Sequence, residues 1–241
     1  MEIVIYGAGV LAQLTKESVI TSGSNVAGMI DPLGNTEYKS LKEFDKDCDI
    51  IIDFSHFSSL NDILEYAVKN KKPVIIATTG HSKEQTALIE EAAKHIAVLK
   101  ATNTSFGVTM INEILSYAAK LLKGFDIELI EKHHNRKIDS PSGTAGTMLE
   151  VIQASIDEDR DLVYGREGNS KRTAKEIGVH SVRAGNIVGE HTVIFSRGDE
   201  IIEIKHEALS RKMFADGAVD AALKLVNKKS GLYSMKDLLI V

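Results

Sequence analysis

The chain has 241 residues, 43% hydrophobic and 26% charged, enough to bury one large core or two modest ones. Its 29 basic and 34 acidic side chains give a formal charge of −5, which argues against a nucleic-acid partner, and no apolar stretch nears the roughly 18 to 20 residues of a membrane span. A single cysteine, Cys48, excludes an internal disulfide and a cysteine metal cluster, and with no signal peptide at the N-terminus it points to the cytoplasm.

In chain order, short apolar runs at 3–6, 26–30, 50–54, 74–77 and 96–99 alternate with helical patterns at 10–21, 60–70 and 83–94, and a weaker one at 41–45. β-branched strands separated by amphipathic helices predict a parallel sheet covered on both faces. Beyond residue 105 the rhythm changes. A helix over 109–123, ended by Gly124, precedes a strand over 126–133 and a helix over 143–155. A charged surface loop over 157–175 leads to strands at 177–183, 190–195 and 200–206 with no helix between them, then a final helix over 212–227. Strands in succession predict a second, α+β domain with an antiparallel or mixed sheet.

The first strand runs into Gly7-Ala8-Gly9-Val10-Leu11-Ala12, a GxGxxG/A pattern. Gly7 permits a tight turn, Gly9 lets a pyrophosphate approach the backbone, and Ala12 allows close helix–strand packing. An ordinary strand-to-helix turn uses glycines too. Asp31 separates the two readings, because it lies 22 residues after Gly9 at the end of the second strand, where a carboxylate accepts hydrogen bonds from an adenosine ribose. The same charge repels a 2′-phosphate, and Pro32 follows it where an arginine would favour one. Lys39 lies near enough to offset part of that repulsion. The expectation is a Rossmann-type domain binding NADH and/or NADPH, with the balance toward NADH.

Two further loops close parallel strands. Ala77-Thr78-Thr79-Gly80-His81 offers backbone and hydroxyl groups to a nicotinamide, or simply caps the next helix, and spacing alone favours neither. Ala101-Thr102-Asn103-Thr104 closes the fifth strand in the same way.

Chemistry is densest between Glu131 and Thr144. Adjacent His133 and His134 on a strand point to opposite faces, and if the strand continues, Glu131, His133, Asn135 and Lys137 share one. Histidine shuttles protons near neutrality, and a neighbouring lysine donates one or holds a carboxylate. Ser140 with Pro141 reads as an N-cap and first helical residue, which puts Ser142, Gly143 and Thr144 in a first turn that attracts an anion. A small anionic substrate is expected there. A solvated basic strand ahead of a well-capped helix is the plainer alternative. No close ligand spacing makes a zinc site of His133, His180, His191 and His206.

The 131–144 run resembles the signature E-x-H-H-x-x-K-x-D-x-P-S-G-T of the 4-hydroxy-tetrahydrodipicolinate reductase family. The resemblance continues in order through the glycine loop, Asp53-Phe54-Ser55, Thr78-Thr79-Gly80, Asn103-Thr104-Ser105, the stretch from Arg183 to His191, and Phe214-Ala215-Asp216-Gly217-Ala218. It implies a dinucleotide-binding domain over 1–104 and a substrate-binding domain over 105–211 whose open mixed sheet builds a homotetramer. A C-terminal helix and tail, 212–241, would return to the first domain. The implied activity is NAD(P)H-dependent reduction of a small dicarboxylate, 4-hydroxy-tetrahydrodipicolinate, in the diaminopimelate and lysine pathway.

By that resemblance His133 is the catalytic proton donor or acceptor and Lys137 the proton donor, while His134, Gly143 and Thr144 contact substrate. The cofactor falls to Gly7, Ala8, Gly9, Val10, Leu11, Ala12, Asp31, Ala77, Thr78, Thr79, Ala101, Thr102, Asn103 and Thr104. The sequence departs from the family pattern at Ala12, Pro32, Ala77 and Thr104, none of which touches His133, Lys137 or the Ser-Gly-Thr turn. Amino-acid and polyol dehydrogenases share the glycine loop but do not need the 131–144 run. An NAD(H)-sensing regulator would need a DNA- or partner-binding segment, and no basic helix is present.

Overall fold

In the computed structural model, which describes residues 1–239, the chain divides into two units, one built from Met1–Phe106 with the segment from Arg211 onward, the other from Gly107–Ser210. The first unit contains β1 (Glu2–Tyr6), α1 (Val10–Thr21), β2 (Asn25–Ile30), β3 (Ile50–Asp53), α2 (Leu60–Lys69), β4 (Val74–Ile76), α3 (Lys83–Ala93) and β5 (Ala97–Lys100). Helix α4 (Phe106–Leu121) leads into the second unit, with β6 (Asp126–His133), α5 (Gly143–Gln153), β7 (Asp161–Tyr164), β8 (Glu176–Arg183), β9 (Gly189–Arg197) and β10 (Glu200–Ala208). The chain then contributes α6 (Lys212–Leu225), β11 (Gly231–Tyr233) and α7 (Met235–Leu239) to the first unit.

The first sheet is six-stranded and parallel, in the order β11-β5-β4-β3-β1-β2. Its strands are apolar on both faces because both are covered. Along β1, Val4 and Tyr6 pack into a core with α2 and α3, while Ile3 and Ile5 pack into the opposite core with α1 and α6. The order reverses at β1, with β2 on one side and β3 on the other. A reversal of this kind opens a crevice at the carboxyl ends of the strands. The expected parallel α/β architecture is present, and β11 adds an edge strand that the sequence reading left out. Three residues, Gly231-Leu232-Tyr233, carry too little pattern to read as a strand, and β5 supplies their ladder.

The second sheet has five strands in the order β10-β9-β6-β8-β7, parallel from β6 through β8 to β7 and antiparallel from β6 through β9 to β10. It is the expected mixed sheet. Its inner face packs Ile127, Leu129, Ile177, Val179, Val193 and Phe195 against Leu115 of α4 and Met148, Leu149 and Ile152 of α5.

Four local expectations are corrected. Residues 41–45 form turns rather than a helix. The Leu41 N–H donates to Asp62 Oδ2 at 2.9 Å, and Phe44 packs edge-on against Tyr38. The loop expected over 157–175 contains β7, which pairs with β8. Strand β6 ends at His133, and Asn135 and Arg136 lie in a turn, so the shared face stops there. The N-cap of α5 is Ser142, not Ser140: Ser142 is extended (φ −65°, ψ 155°) and its hydroxyl accepts from Ala145 N–H. The Ser140–Pro141 peptide ahead of it is cis.

Candidate active site

In the first unit, three strand-end loops gather. Gly7 has φ of +131°, and a Cβ there would lie 2.5 Å from the Phe54 carbonyl oxygen, so only glycine fits between β1 and the residue after β3. A Cβ on Gly9 would meet nothing within 4 Å, which leaves its backbone open to a ligand. The first turn of α1 brings N–H groups that no helical carbonyl can satisfy. Beside this turn lies a cavity of about 650 Å³ lined by Gly7, Ala8, Gly9, Asp31, Asn35, Phe54, Ser55 and His56, among others. The Asp31 carboxylate is nearly buried and accepts from Asn35 N–H and Nδ2 at 3.2 and 2.7 Å. These donors hold one of its oxygens in place at the cavity wall. Open backbone at Gly9, a helix N-terminus and an oriented carboxylate suit a dinucleotide's pyrophosphate and ribose.

A smaller cavity, about 120 Å³, is lined by Leu11, Ala77, Ala101, Thr102, Asn103 and Thr104 together with Phe54 and Phe214. Val10 and Ala12 lie on α1 itself, the first exposed and the second buried against the sheet. The Thr78 hydroxyl accepts from Ser55 N–H at 3.0 Å, tying the loops after β3 and β4 together, whereas Thr79 is exposed. The Thr104 hydroxyl donates to the Phe214 carbonyl at 2.6 Å, which joins the loop after β5 to α6. Asp53, at the end of β3, is buried and accepts from Ser55 N–H at 2.9 Å and Ser55 Oγ at 2.5 Å. Burial pushes its pKa up to about 6 despite those hydrogen bonds.

The second unit turns polar at one end of the inner face of its sheet. Apolar Ile127 and Leu129 on β6 are followed, with the same alternation, by Glu131 and His133, both buried. Cross-strand partners change in step: Glu131 is level with His191 of β9 and Ser181 of β8, and His133 with Arg183. His133 Nδ1 lies 2.5 Å from Glu131 Oε2, and Arg183 donates to both Glu131 oxygens at 2.9 and 2.7 Å. Burial alone would raise the Glu131 carboxyl, but hydrogen bonds from Arg183, Ser181 and His133 outweigh it and hold the pKa below the usual range. An ionised Glu131 accepts only, so the imidazole proton sits on Nδ1 and Nε2 is left for chemistry. Gly189 flanks that nitrogen, and a Cβ there would lie 3.1 Å from it.

The loop after β6 carries Lys137, whose Nζ donates to both Asp139 oxygens at 2.7 Å. That hydrogen bond holds the Asp139 carboxyl below its ordinary pKa. Arg183 Nη2 also donates to the Asp139 carbonyl at 2.6 Å, and Asn135 N–H to the Gly185 carbonyl at 3.1 Å, so the loop is pinned to the end of β8. His134 follows the end of β6 and is half-buried. Gly143 and Thr144 open α5 behind the Ser142 cap, and Ser142 Oγ is hydrogen-bonded to His191 Nε2 at 2.9 Å. Glu131, His133 and Lys137 thus lie within one structural cluster, joined through Arg183 and Asp139. Phe214, Arg183 and His191 were not singled out as site residues. All three lie in stretches that resemble the family, but their neighbours in space are about fifty residues or more away in the chain, so spacing alone assigns them no role.

A Rossmann-type unit with a cavity over its glycine turn, followed by a mixed-sheet unit ending in histidine, lysine and glutamate, defines a nicotinamide-dependent oxidoreductase. Family profiles described as dihydrodipicolinate reductase N-terminus and C-terminus match residues 5–104 and 107–239. The chain belongs to the dihydrodipicolinate reductase family. It is 46% identical to the 4-hydroxy-tetrahydrodipicolinate reductase of Brachyspira hyodysenteriae, over 99% of this chain and 100% of that one. The enzyme of the same name from Clostridium tetani is also 46% identical, over 84% and 80%. Among solved structures, a dipicolinate-bound dihydrodipicolinate reductase from Paenisporosarcina sp. TG-14 superposes with a TM-score of 0.76 at 19% identity, covering 98% of each chain. A probable dehydrogenase from Thermotoga maritima shares the fold at a TM-score of 0.63 and 10% identity, over 100% of this chain and 93% of that one.

Proposed function

We propose that the protein reduces 4-hydroxy-tetrahydrodipicolinate, by way of dihydrodipicolinate, to tetrahydrodipicolinate in the diaminopimelate route to lysine, in the cytoplasm. The observation that carries this reading is the Glu131–His133 pair beside Lys137, directly ahead of the capped N-terminus of α5. Dipicolinate on the Paenisporosarcina reductase supports a small cyclic dicarboxylate as the ligand class.

A bound nicotinamide supplies the hydride. The chain's own residues do the rest. The backbone of Gly7, Ala8 and Gly9 and the first turn of α1 hold the pyrophosphate, and Asp31 accepts from the ribose hydroxyls. Val10, Leu11 and Ala12 form the helix start. Ala77, Thr78, Thr79, Ala101, Thr102, Asn103 and Thr104 border the nicotinamide end. Asp31 followed by Pro32 supports NADH ahead of NADPH, since a 2′-phosphate would meet a carboxylate with no cation beside it in sequence.

On the substrate, one carboxylate binds at Gly143 and Thr144, where the dipole of α5 favours an anion, and His134 and Lys137 contact the rest of the ring. After the hydroxyl leaves as water, the C4 end of the conjugated imine is reduced and electrons move to nitrogen. That nitrogen takes a proton from Lys137 Nζ, or from His133 in its doubly protonated form, in which Nε2 as well as Nδ1 carries a proton. The homotetramer belongs to the same proposal. Its support is the sheet's outer face, which no helix of the second unit covers and which carries Ile130, Val182, Ile194 and Ile201 among paired charges.

The test is a spectrophotometric assay in which the preceding synthase makes substrate from pyruvate and aspartate semialdehyde, with NADH and NADPH oxidation followed in parallel. Turnover is expected with both and to be faster at low NADH. Lys137→Met should lower kcat at least about 100-fold while leaving the Kd for NADH within about twofold. Folded protein that binds NADH yet oxidises neither cofactor would refute the assignment.

A further inference from the structure

His191 sits at the centre of the polar end of the second sheet, 4% exposed, its ring 5.2 Å from that of His133 in an edge-to-face arrangement of 73°. Its Nε2 is 2.9 Å from Ser142 Oγ, the atom that caps α5. Its Nδ1 is buried and finds no hydrogen-bond partner among the described residues. For stability this is a poor place for histidine. An unpartnered buried nitrogen costs free energy, and so does an imidazole that cannot take up a proton on demand. Burial, and then the neighbouring His133, push its pKa down to about 4, so the ring is neutral near pH 7.

A neutral imidazole carries one proton, and the two tautomers have different consequences. With the proton on Nδ1, a buried N–H would go without an acceptor, and the Ser142 hydroxyl would spend its own proton on Nε2. With the proton on Nε2, His191 donates to Ser142 Oγ and leaves only a lone pair unpartnered, the more tolerable defect. Ser142 Oγ then accepts twice, from His191 and from Ala145 N–H, and its own proton is directed away from both donors.

We infer that His191 is a positioning residue for substrate binding: donating from Nε2, it sets the Ser142 hydroxyl so that the α5 turn presents an O–H together with its N–H groups to a carboxylate. This rests on the reading under Proposed function and adds to it the side chain behind the turn. His191 touches neither substrate nor cofactor in this role. It acts through Ser142.

The experiment pairs steady-state kinetics with calorimetric binding of dipicolinate to the whole protein, for wild type, His191→Phe, His191→Gln and Ser142→Ala. Phenylalanine keeps the ring and removes both nitrogens, whereas glutamine places an amide donor near the position of Nε2. His191→Phe should raise the substrate KM and the dipicolinate Kd together by roughly five- to tenfold, the worth of one hydrogen bond. The KM for NADH should not move, and thermal stability should equal or exceed that of wild type. Glutamine should recover most of the affinity, and the double variant His191→Phe/Ser142→Ala should bind no worse than Ser142→Ala alone.

Unchanged dipicolinate affinity in His191→Phe would overturn the inference, as would additive losses in the double variant. Loss of folding in both His191 variants would make the position structural and overturn it too. A wild-type chain that neither binds dipicolinate nor reduces the imine would instead refute the functional reading itself, before any variant is compared.

Discussion

Glu131 shows how a costly residue is made useful. A carboxylate with no exposure is expensive unless charge and hydrogen bonds surround it, and here Arg183 and His133 do so on both oxygens. The arrangement fixes the tautomer and orientation of His133, much as a buried aspartate does for the histidine of a hydrolase triad. Glu131→Gln keeps the shape but turns one acceptor into a donor that must face either His133 or Arg183. We expect kcat to fall by about 100-fold with the KM for NADH unchanged, measured by steady-state kinetics on protein whose circular dichroism matches wild type. That Glu131 and His133 share a face was legible from their spacing. Arg183 lies 52 residues further on, and no local pattern ties it to Glu131.

The packing of α1 against α6 depends on small residues. Ala12, Ala218, Ala221 and Ala222 are fully buried, and the Ser18 hydroxyl donates to Asp216 across the contact at 2.6 Å. Gly217 sets the limit, because a Cβ there would lie 1.9 Å from the Thr104 carbonyl oxygen, a backbone atom with little freedom to retreat. Gly217→Ala should therefore destabilise the first unit by about 3 kcal/mol, although alanine is the better helix former. Urea denaturation with an unchanged m-value is the check, and an equal or higher midpoint would contradict the contact. The amphipathic period of α6 was readable, but the need for glycine was not, since the obstructing carbonyl belongs to the loop after β5.

At the scale of the whole molecule, Asp53 in the first unit and His191 in the second respond to acid in opposite directions. Burial pushes the pKa of Asp53 in the folded chain up to about 6, above the 3.8 of an ordinary aspartate carboxyl. Its burial therefore costs stability above that pH, and the cost is relieved as pH falls toward 4. Burial pushes the pKa of His191 in the folded chain down to about 4, below the 6.5 of an ordinary imidazole. It costs nothing above pH 6.5, and the cost grows as pH falls from 6.5 toward 4 because the unfolded chain takes up a proton that the folded ring refuses. Between pH 7.5 and pH 5 the first unit should gain about 1 kcal/mol and the second lose about 2 kcal/mol from these two groups. Scanning calorimetry should show the second unit's transition moving to lower temperature at pH 5, and His191→Phe should largely abolish that movement. A transition as acid-sensitive in His191→Phe as in wild type would mean that other groups dominate.

Patterns confined to a few neighbouring residues were readable from the chain alone. The 3–6, 50–54 and 74–77 apolar runs announced a buried parallel sheet because both faces of each strand must be apolar. The glycine turn announced the tight bend from β1 into α1 because only glycine tolerates the backbone at Gly7, and the 131–144 run placed histidine, lysine and a helix start side by side. What depended on partners distant in sequence required the fold. Residues 231–233 became a strand because β5 offered a ladder, Ser142 rather than Ser140 became the cap because its backbone and hydroxyl meet Ala145, and residues 41–45 run as turn and loop with Leu41 N–H on Asp62 and Phe44 packed against Tyr38. Arg183, His191 and Phe214 entered the sites from remote stretches. Local sequence carries dihedral preference and hydrophobic period, whereas burial, pKa and hydrogen-bond partnership are set by whichever side chains the fold brings alongside.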